Sequence, residues 1–319
     1  MEENLLEIKN LHVHYVTDTE DVRAVNGVAI RLKKGEVLGL VGETGAGKTT
    51  VALSVMQLVP DPPGIILEGE ILFKGKNLIY NSDKENQEMR GNGISMIFQD
   101  PMTALNPIMT VGQQLAEVVM KHKKLTKKAA LKVAVEMLER VGVTRDRIND
   151  YPHQFSGGMK QRAIIAMALL CDPEILIADE PTTALDVTIQ AQVLEIIRSL
   201  VREKDMAMIL ITHDLGVVAE TCDEVAIMYA GEVVECGTVW DVYTEPKHPY
   251  TRGLFASIPK MDGEDERLSP IPGMAPSSAS LPEGCYFHPR CACSQERCAA
   301  EHPPMKGDSH QYRCWLDFE

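Results

Sequence analysis

One stretch limits the folds open to this chain more than any other. Glu36-Val37-Leu38-Gly39-Leu40-Val41 is a short apolar run of the kind that fills a central strand. It leads without a break into Gly42-Glu43-Thr44-Gly45-Ala46-Gly47-Lys48-Thr49. Thr49 to Leu58 then puts Ala52, Val55 and Met56 on one helical face, and Pro60, Pro62 and Pro63 end that helix. Strand, glycine loop and helix together are the context of a phosphate-binding loop. The glycines let backbone N–H groups converge on phosphate oxygens, and the helix adds its positive N-terminal end. Lys48 is expected to reach the β- and γ-phosphates, and Thr49 to ligate Mg²⁺. A chance glycine-rich turn would lack the apolar strand before it and the helix after it.

The rest of a nucleotide-handling core can be read further along. Glu174-Ile175-Leu176-Ile177-Ala178-Asp179 is a second buried strand, and Asp179 emerges at its carboxyl end. Open α/β sheets bind ligands at that end. Asp179 is therefore expected to hold Mg²⁺, directly or through water, and Glu180 to be the general base for an attacking water. A lone Asp there would read as a helix cap; an Asp-Glu pair after a buried strand in a phosphate-loop chain does not. Ile94-Ser95-Met96-Ile97-Phe98 is strand-like and ends at Gln99, and Met208-Ile209-Leu210-Ile211-Thr212 is another buried strand, ending at His213.

Composition narrows the class. The chain has 319 residues, 45% of them hydrophobic, enough for one large domain or two smaller ones. A formal net charge of -14 argues against general nucleic-acid binding, which needs Lys and Arg on phosphates. The longest apolar run, Ala163 to Cys171, falls far short of a membrane span. Met1-Glu2-Glu3-Asn4 lacks the basic and apolar regions of a signal peptide. The expectation is a cytosolic chain that meets a membrane through a partner.

Elsewhere the texture varies. Leu5 to Ile8 and Leu11 to Tyr15 alternate as strands, with a polar turn over Thr17 to Asp21. From Pro101 the pattern turns helical. Thr110 and Gln113 form a capping box ahead of Leu115, Val118 and Val119. Ala129 to Val141 is amphipathic, with Leu131, Val135 and Leu138 on one side, and Met159 to Leu170 is a third helix. Asp186 can cap a helix whose inner face carries Ile189, Val193, Ile196, Ile197 and Leu200. Beyond about Tyr243 the chain is rich in Pro, Gly, Ser and Cys with little periodicity, and reads as a tail module needing outside help to stay ordered.

The third helix opens at Phe155-Ser156-Gly157-Gly158-Met159-Lys160-Gln161-Arg162. Here the chain resembles the ATP-binding subunits of ABC transporters, with Ser156, Gly157, Gly158 and Met159 matching their signature motif. The resemblance implies an α/β fold: a P-loop ABC ATPase core with an N-terminal antiparallel β part, a helical subdomain insertion and a small Cys-rich C-terminal module. It implies a core over residues 1–100 and 166–242, a helical subdomain over 101–165, and a C-terminal module over 243–319. ATP is then the nucleotide, with Gly42, Thr44, Gly45, Gly47, Lys48, Thr49 and Thr50 around it and Tyr15 stacked on adenine. An aromatic in an early strand is also often plain core. Gln99 matches the family's Q-loop, a third Mg²⁺ contact beside Thr49 and Asp179. His213 matches the switch histidine at the γ-phosphate, although a strand-end His also serves as a partner for a nearby carbonyl. Ala184-Leu185-Asp186 matches the D-loop, passing between subunits. One triphosphate is already cradled by the P-loop, so the resemblance implies that Ser156–Met159 cap the ATP of a second, homologous ATPase chain. Gln154 stands where the family more often has Glu.

Phe98 to Pro107, His248-Pro249-Tyr250-Thr251, Ile271-Pro272-Gly273 and Gly284-Cys285-Tyr286-Phe287 resemble the oligopeptide, dipeptide and nickel importer branch. That branch implies two different ATPase chains under two permeases, fed by an extracytoplasmic binding protein, at the cytoplasmic face of the membrane. Di- or oligopeptides are the implied cargo, with nickel chelates and oligosaccharides open. A reading of another class, a soluble non-transport ABC-type ATPase with an iron–sulfur module, would call for two cassettes, a coiled coil or a basic surface.

Five of the eight cysteines fall between Cys285 and Cys314. A reducing compartment disfavours disulfides, so the group reads first as metal binding. Cys285, Cys291, Cys298 and Cys314 are separated by five, six and fifteen residues, wider than the close pairs of structural zinc. The spacing leans toward an iron–sulfur cluster, and the resemblance implies [4Fe-4S]. Cys293 can substitute for Cys291, and His288, His302 and His310 keep a mixed Zn²⁺ site open.

Overall fold

The computed structural model describes residues 4–100, 104–183, 185–257 and 270–317. They form two compact units. One contains Tyr80–Ile211 together with Lys33–Glu36; the other contains Leu6–Leu32, Val37–Ile79 and the chain from Thr212 onward.

The second unit holds the phosphate loop. Its antiparallel sheet is built from β1 (Asn4–Val16), β2 (Asp21–Lys33), β4 (Gly64–Phe73) and β5 (Lys76–Asn77), in the order β2-β1-β4-β5. The two short strands expected at the start are one long strand, bent where Asn10 takes a φ of 46° and the register to β4 shifts. The pairing continues past the bend to Tyr15, opposite Gly64. β3 (Val37–Val41) is buried throughout, as its apolar run requires. It lies parallel to β9 (Glu224–Tyr229), and β9 turns back through β10 (Glu232–Thr238) to the short β11 (Gln311–Tyr312). The helix Lys48–Val55 follows β3 and buries Val51, Ala52, Ser54 and Val55.

The first unit stacks three parallel strands, β6 (Ile94–Ile97), β7 (Ile175–Asp179) and β8 (Ala207–Ile211), with β7 in the middle. All three are buried along their length. The capping box of Thr110 and Gln113 is present and starts the helix Val111–Lys123. The next helix, Lys127–Arg140, differs from expectation: it buries Ala130, Ala134, Met137 and Leu138, while Leu131 and Val135 are half-exposed flanks. The expected Leu138 is buried, but alanines occupy the first two inward turns, where they let backbones approach. Asp186 caps Val187–Glu203 by accepting from the Ile189 N–H, and Val193, Ile197 and Leu200 are buried on its inner side.

The aperiodic tail is held down by specific polar contacts. Glu235 on β10, wholly buried, accepts from His310 Nε2 at 2.7 Å and from the backbone N–H groups of Lys247 and His248. Glu232 pairs with His302 at 2.9 Å. Tyr229, Tyr250 and Phe287 pack as an aromatic group with ring centroids 4.6 to 5.4 Å apart. His248 is buried beside them and accepts from the Tyr250 N–H; burial pushes its imidazole down to about 3, so it stays neutral.

Candidate functional site

In the second unit the phosphate loop turns sharply after β3. Gly47 caps the helix with φ 98°, and a Cβ there would lie 2.4 Å from the Ala24 carbonyl oxygen. Only glycine fits both the left-handed backbone and that approach. Lys48 is buried; its ammonium donates to the carbonyls of Gly42 at 2.6 Å and Glu43 at 3.0 Å. Thr44, Gly45 and Thr49 are exposed around it. Tyr15 on β1 comes to the same helix, its hydroxyl 3.4 Å from the Thr50 hydroxyl. His213 is exposed, and Asp214 after it caps the helix Leu215–Thr221 through the N–H groups of Gly216 and Val217.

In the first unit Glu180 meets Gln99. Gln99 Nε2 donates to Glu180 Oε2 at 3.0 Å, and the Thr183 hydroxyl donates to the same oxygen at 2.8 Å. Glu180 takes φ 45°, a left-handed conformation costly for a residue with a Cβ. Its N–H donates to the Ile211 carbonyl, which anchors that turn to the end of β8. Asp179 ends β7 and is buried. Sequence reasoning placed Gln99 and Glu180 separately and missed Thr183, which carried no signal beyond its position three residues on.

Ser156 caps the helix Gly157–Leu169 by accepting from the Met159 N–H, so the signature residues form its N-terminal turn, with Ser156 and Gly157 exposed and Gly158 and Met159 half-buried. Gln161, one turn further on, donates to the Pro181 carbonyl at 2.5 Å and ties this helix to the turn after Glu180. Of the D-loop residues, Leu185 and Asp186 are described and Ala184 lies outside the described residues.

Cys285, Cys291, Cys298 and Cys314 line one cavity in the tail, together with Cys293, His248, His288 and Trp315. Burial pushes the Cys285 thiol up to about 12, Cys291 to about 11, and Cys314 in the same direction. The histidines of a mixed site are mostly engaged elsewhere: His302 and His310 face Glu232 and Glu235, while His288 bonds the Cys285 carbonyl. Among the described residues, no three His, Cys, Asp or Glu side chains converge on a point that one ion could occupy.

Comparison with known proteins agrees with this geometry. The profile of the ABC transporter family matches residues 25–183, and that of the oligopeptide/dipeptide transporter C-terminal region matches 234–298. The dipeptide transport ATP-binding protein DppD of Bacillus subtilis is 52% identical over 98% of this chain and 95% of its own length. The chain is an ATP-binding subunit of the oligopeptide/dipeptide ABC transporter family. The oligopeptide transport ATP-binding protein OppD of the same organism is 50% identical over 98% of this chain and 88% of its own. The ABC cassette MJ0796, solved as a dimer in a post-hydrolysis state with ADP and Pi, superposes with a TM-score of 0.66 at 26% identity, covering 73% of this chain and 98% of that one. CbiO1 from Clostridium perfringens, part of a cbiONQ transporter complex, gives 0.64 at 28% identity, covering 76% and 92%. The fold is thus the P-loop ABC ATPase fold, and the subunit is an ATPase that uses ATP with Mg²⁺ beside membrane permeases. No helix among the described residues is long and apolar enough to cross a membrane.

Proposed function

We propose that this ABC subunit powers the import of dipeptides or oligopeptides, as one half of an ATPase heterodimer docked on two permeases at the cytoplasmic face of the membrane. The observation that carries this reading is the end-to-end likeness to two peptide-transport ATP-binding proteins, tail included. An extracytoplasmic binding protein would deliver the cargo, and the permeases would choose it. Co-purification of the tagged chain from its own membranes tests the assignment. Recovery of two permeases and a second ATPase supports it; recovery with ribosomes, or of permeases that take nickel chelates or oligosaccharides, rejects it.

Within the ATPase, Gly42 to Thr50 hold the triphosphate, with Lys48 countering its charge and Tyr15 under the adenine. Thr49, Asp179 and Gln99 would each give an oxygen to Mg²⁺, a donor type that suits it. When bound, Mg²⁺ supplies charge neutralisation of the phosphate oxygens. Glu180 takes the proton from the attacking water, and Gln99 and Thr183, which donate to it, keep the carboxylate aimed. His213 contacts the γ-phosphate. Ser156 to Met159 serve the partner's ATP with a hydroxyl and a helix N-terminus, and Asp186 lies at the interface between the two chains. Each chain then carries two half-sites, and hydrolysis waits for closure.

We infer that the cysteine set would hold a [4Fe-4S] cluster in preference to one Zn²⁺. A single tetrahedral zinc draws its thiolates to about 2.3 Å from one point. Four irons take one thiolate each and tolerate a wider ring of ligands. What supports this reading is that Cys285, Cys291, Cys298 and Cys314 line one cavity; the cluster would supply cross-linking of an aperiodic tail. Iron and sulfide analysis of anaerobically purified protein tests it: absence of both, with no visible thiolate–iron absorbance, rejects the cluster.

A further inference from the structure

Arg290 belongs to the cysteine module, next to Cys291, yet its side chain ends on the phosphate loop. It is 6% exposed, and its guanidinium forms a two-point pair with Glu43: Nη1 to Oε2 at 2.8 Å and Nη2 to Oε1 at 3.1 Å. The fork is oriented from the module side, because Nε donates to the Pro272 carbonyl at 3.0 Å. Nη1 also reaches the Tyr229 hydroxyl at 3.3 Å. The same aromatic group holds the loop's backbone: the Glu43 N–H donates to the Tyr250 hydroxyl at 3.0 Å. Phe287, two residues past Cys285, packs on both tyrosines. The Glu43 carbonyl in turn accepts from the Lys48 ammonium. One residue of the loop is therefore gripped by its carboxylate, its N–H and its carbonyl.

A carboxylate in a loop that receives a polyanion works against binding unless its charge is matched. Arg290 supplies that match in the geometry best suited to a carboxylate. We propose that Arg290 is a positioning residue for the phosphate loop, neutralising Glu43 and fixing its backbone so that affinity for ATP depends on the cysteine module. This rests on Gly42–Thr49 being the loop that holds ATP. An ordinary staple of tail to core would use the same contacts, but it would not care whether Glu43 is charged.

The test is titration of the full-length chain with a fluorescent ATP analogue. K48A is the control for the underlying reading: if it binds as tightly as the parent, the phosphate-loop assignment has failed and Arg290 is not at issue. With that control in place, R290M is expected to weaken binding ~10-fold, equivalent to about 1.4 kcal/mol. R290M/E43Q is expected to recover to within about threefold of the parent while its thermal midpoint stays lowered, because charge and packing separate in a double-mutant cycle. Parent-like affinity in R290M, or a double variant as weak as R290M, overturns the proposal. Should R290M fail to accumulate, R290K keeps the charge and loses the fork. A roughly threefold loss that E43Q cancels then supports the proposal, and unchanged affinity overturns it.

Discussion

Replacing Glu180 by Gln separates catalysis from binding. The glutamine is isosteric and keeps one oxygen where Gln99 Nε2 and the Thr183 hydroxyl now donate, at 3.0 and 2.8 Å. Those two bonds weaken from charge-assisted to neutral, a ground-state cost of about 1–2 kcal/mol confined to the first unit. The strained φ of 45° stays occupied, since Gln and Glu have the same backbone cost there. What disappears is the ability to accept a proton from water, and general-base catalysis contributes roughly 10²–10⁴-fold, or about 3–5 kcal/mol of barrier. Turnover should therefore fall by at least two decades while the ATP dissociation constant moves by less than about threefold. Phosphate release from the complex purified with its partners, paired with equilibrium nucleotide binding, measures both. Parent-rate hydrolysis would refute Glu180 as the base. Equal losses in binding and turnover would refute the claim that Gln99 and Thr183 hold the substituted side chain in place.

Gly47→Ala should abolish nucleotide binding and lower the thermal midpoint, because its Cβ would sit 2.4 Å from the Ala24 carbonyl oxygen at a φ of 98°; retained binding would show that the loop can shift. Glu235→Ala should cost about 3–5 kcal/mol in urea unfolding, by stranding His310 and the N–H groups of Lys247 and His248, while Glu235→Gln should cost less. Burial pushes the Cys222 thiol up to about 12, so at pH 8 iodoacetamide should label it about three decades more slowly than an ordinary thiol near 8.5. The raised folded value also fixes a sign: the unfolded chain ionises first, so above about pH 9 this thiol subtracts up to about 1.4 kcal/mol of stability per pH unit. A Cys222→Ala variant should lack that slope in denaturation against pH.

Local rules made much of the chain legible. The buried run before Gly42, the capping box at Thr110, and the Asp186 cap depend on residues within a few positions of one another. The strand end at Asp179 was readable because four apolar residues precede a charge. Pairings remote in sequence were not readable. The β9–β10 hairpin went unremarked, although an apolar run precedes its turn at Ala230 and Gly231. Arg290 and Glu43 are 247 positions apart, and neither belongs to a pattern that names the other. In the helix Lys127–Arg140 the expected stripe was right at Leu138 and wrong at Leu131 and Val135, where Ala130 and Ala134 take the inner positions. The tail lacks periodicity for a related reason: single polar clasps and an aromatic group hold it, and these have no repeat to detect.

Those clasps set a timetable for synthesis. β10 leaves the ribosome with two carboxylates bound for the interior, and the histidine that completes Glu235 is encoded 75 residues later. Arg313 returns to the same strand, its N–H donating to the Val234 carbonyl. At roughly 5–20 residues per second, several seconds pass in which this strand of the phosphate-loop sheet is made but not closed. A nascent chain stalled in that interval would carry every ATP-handling residue and still show an open edge with buried-type charges, a form suited to capture by chaperones and not to assembly with a permease.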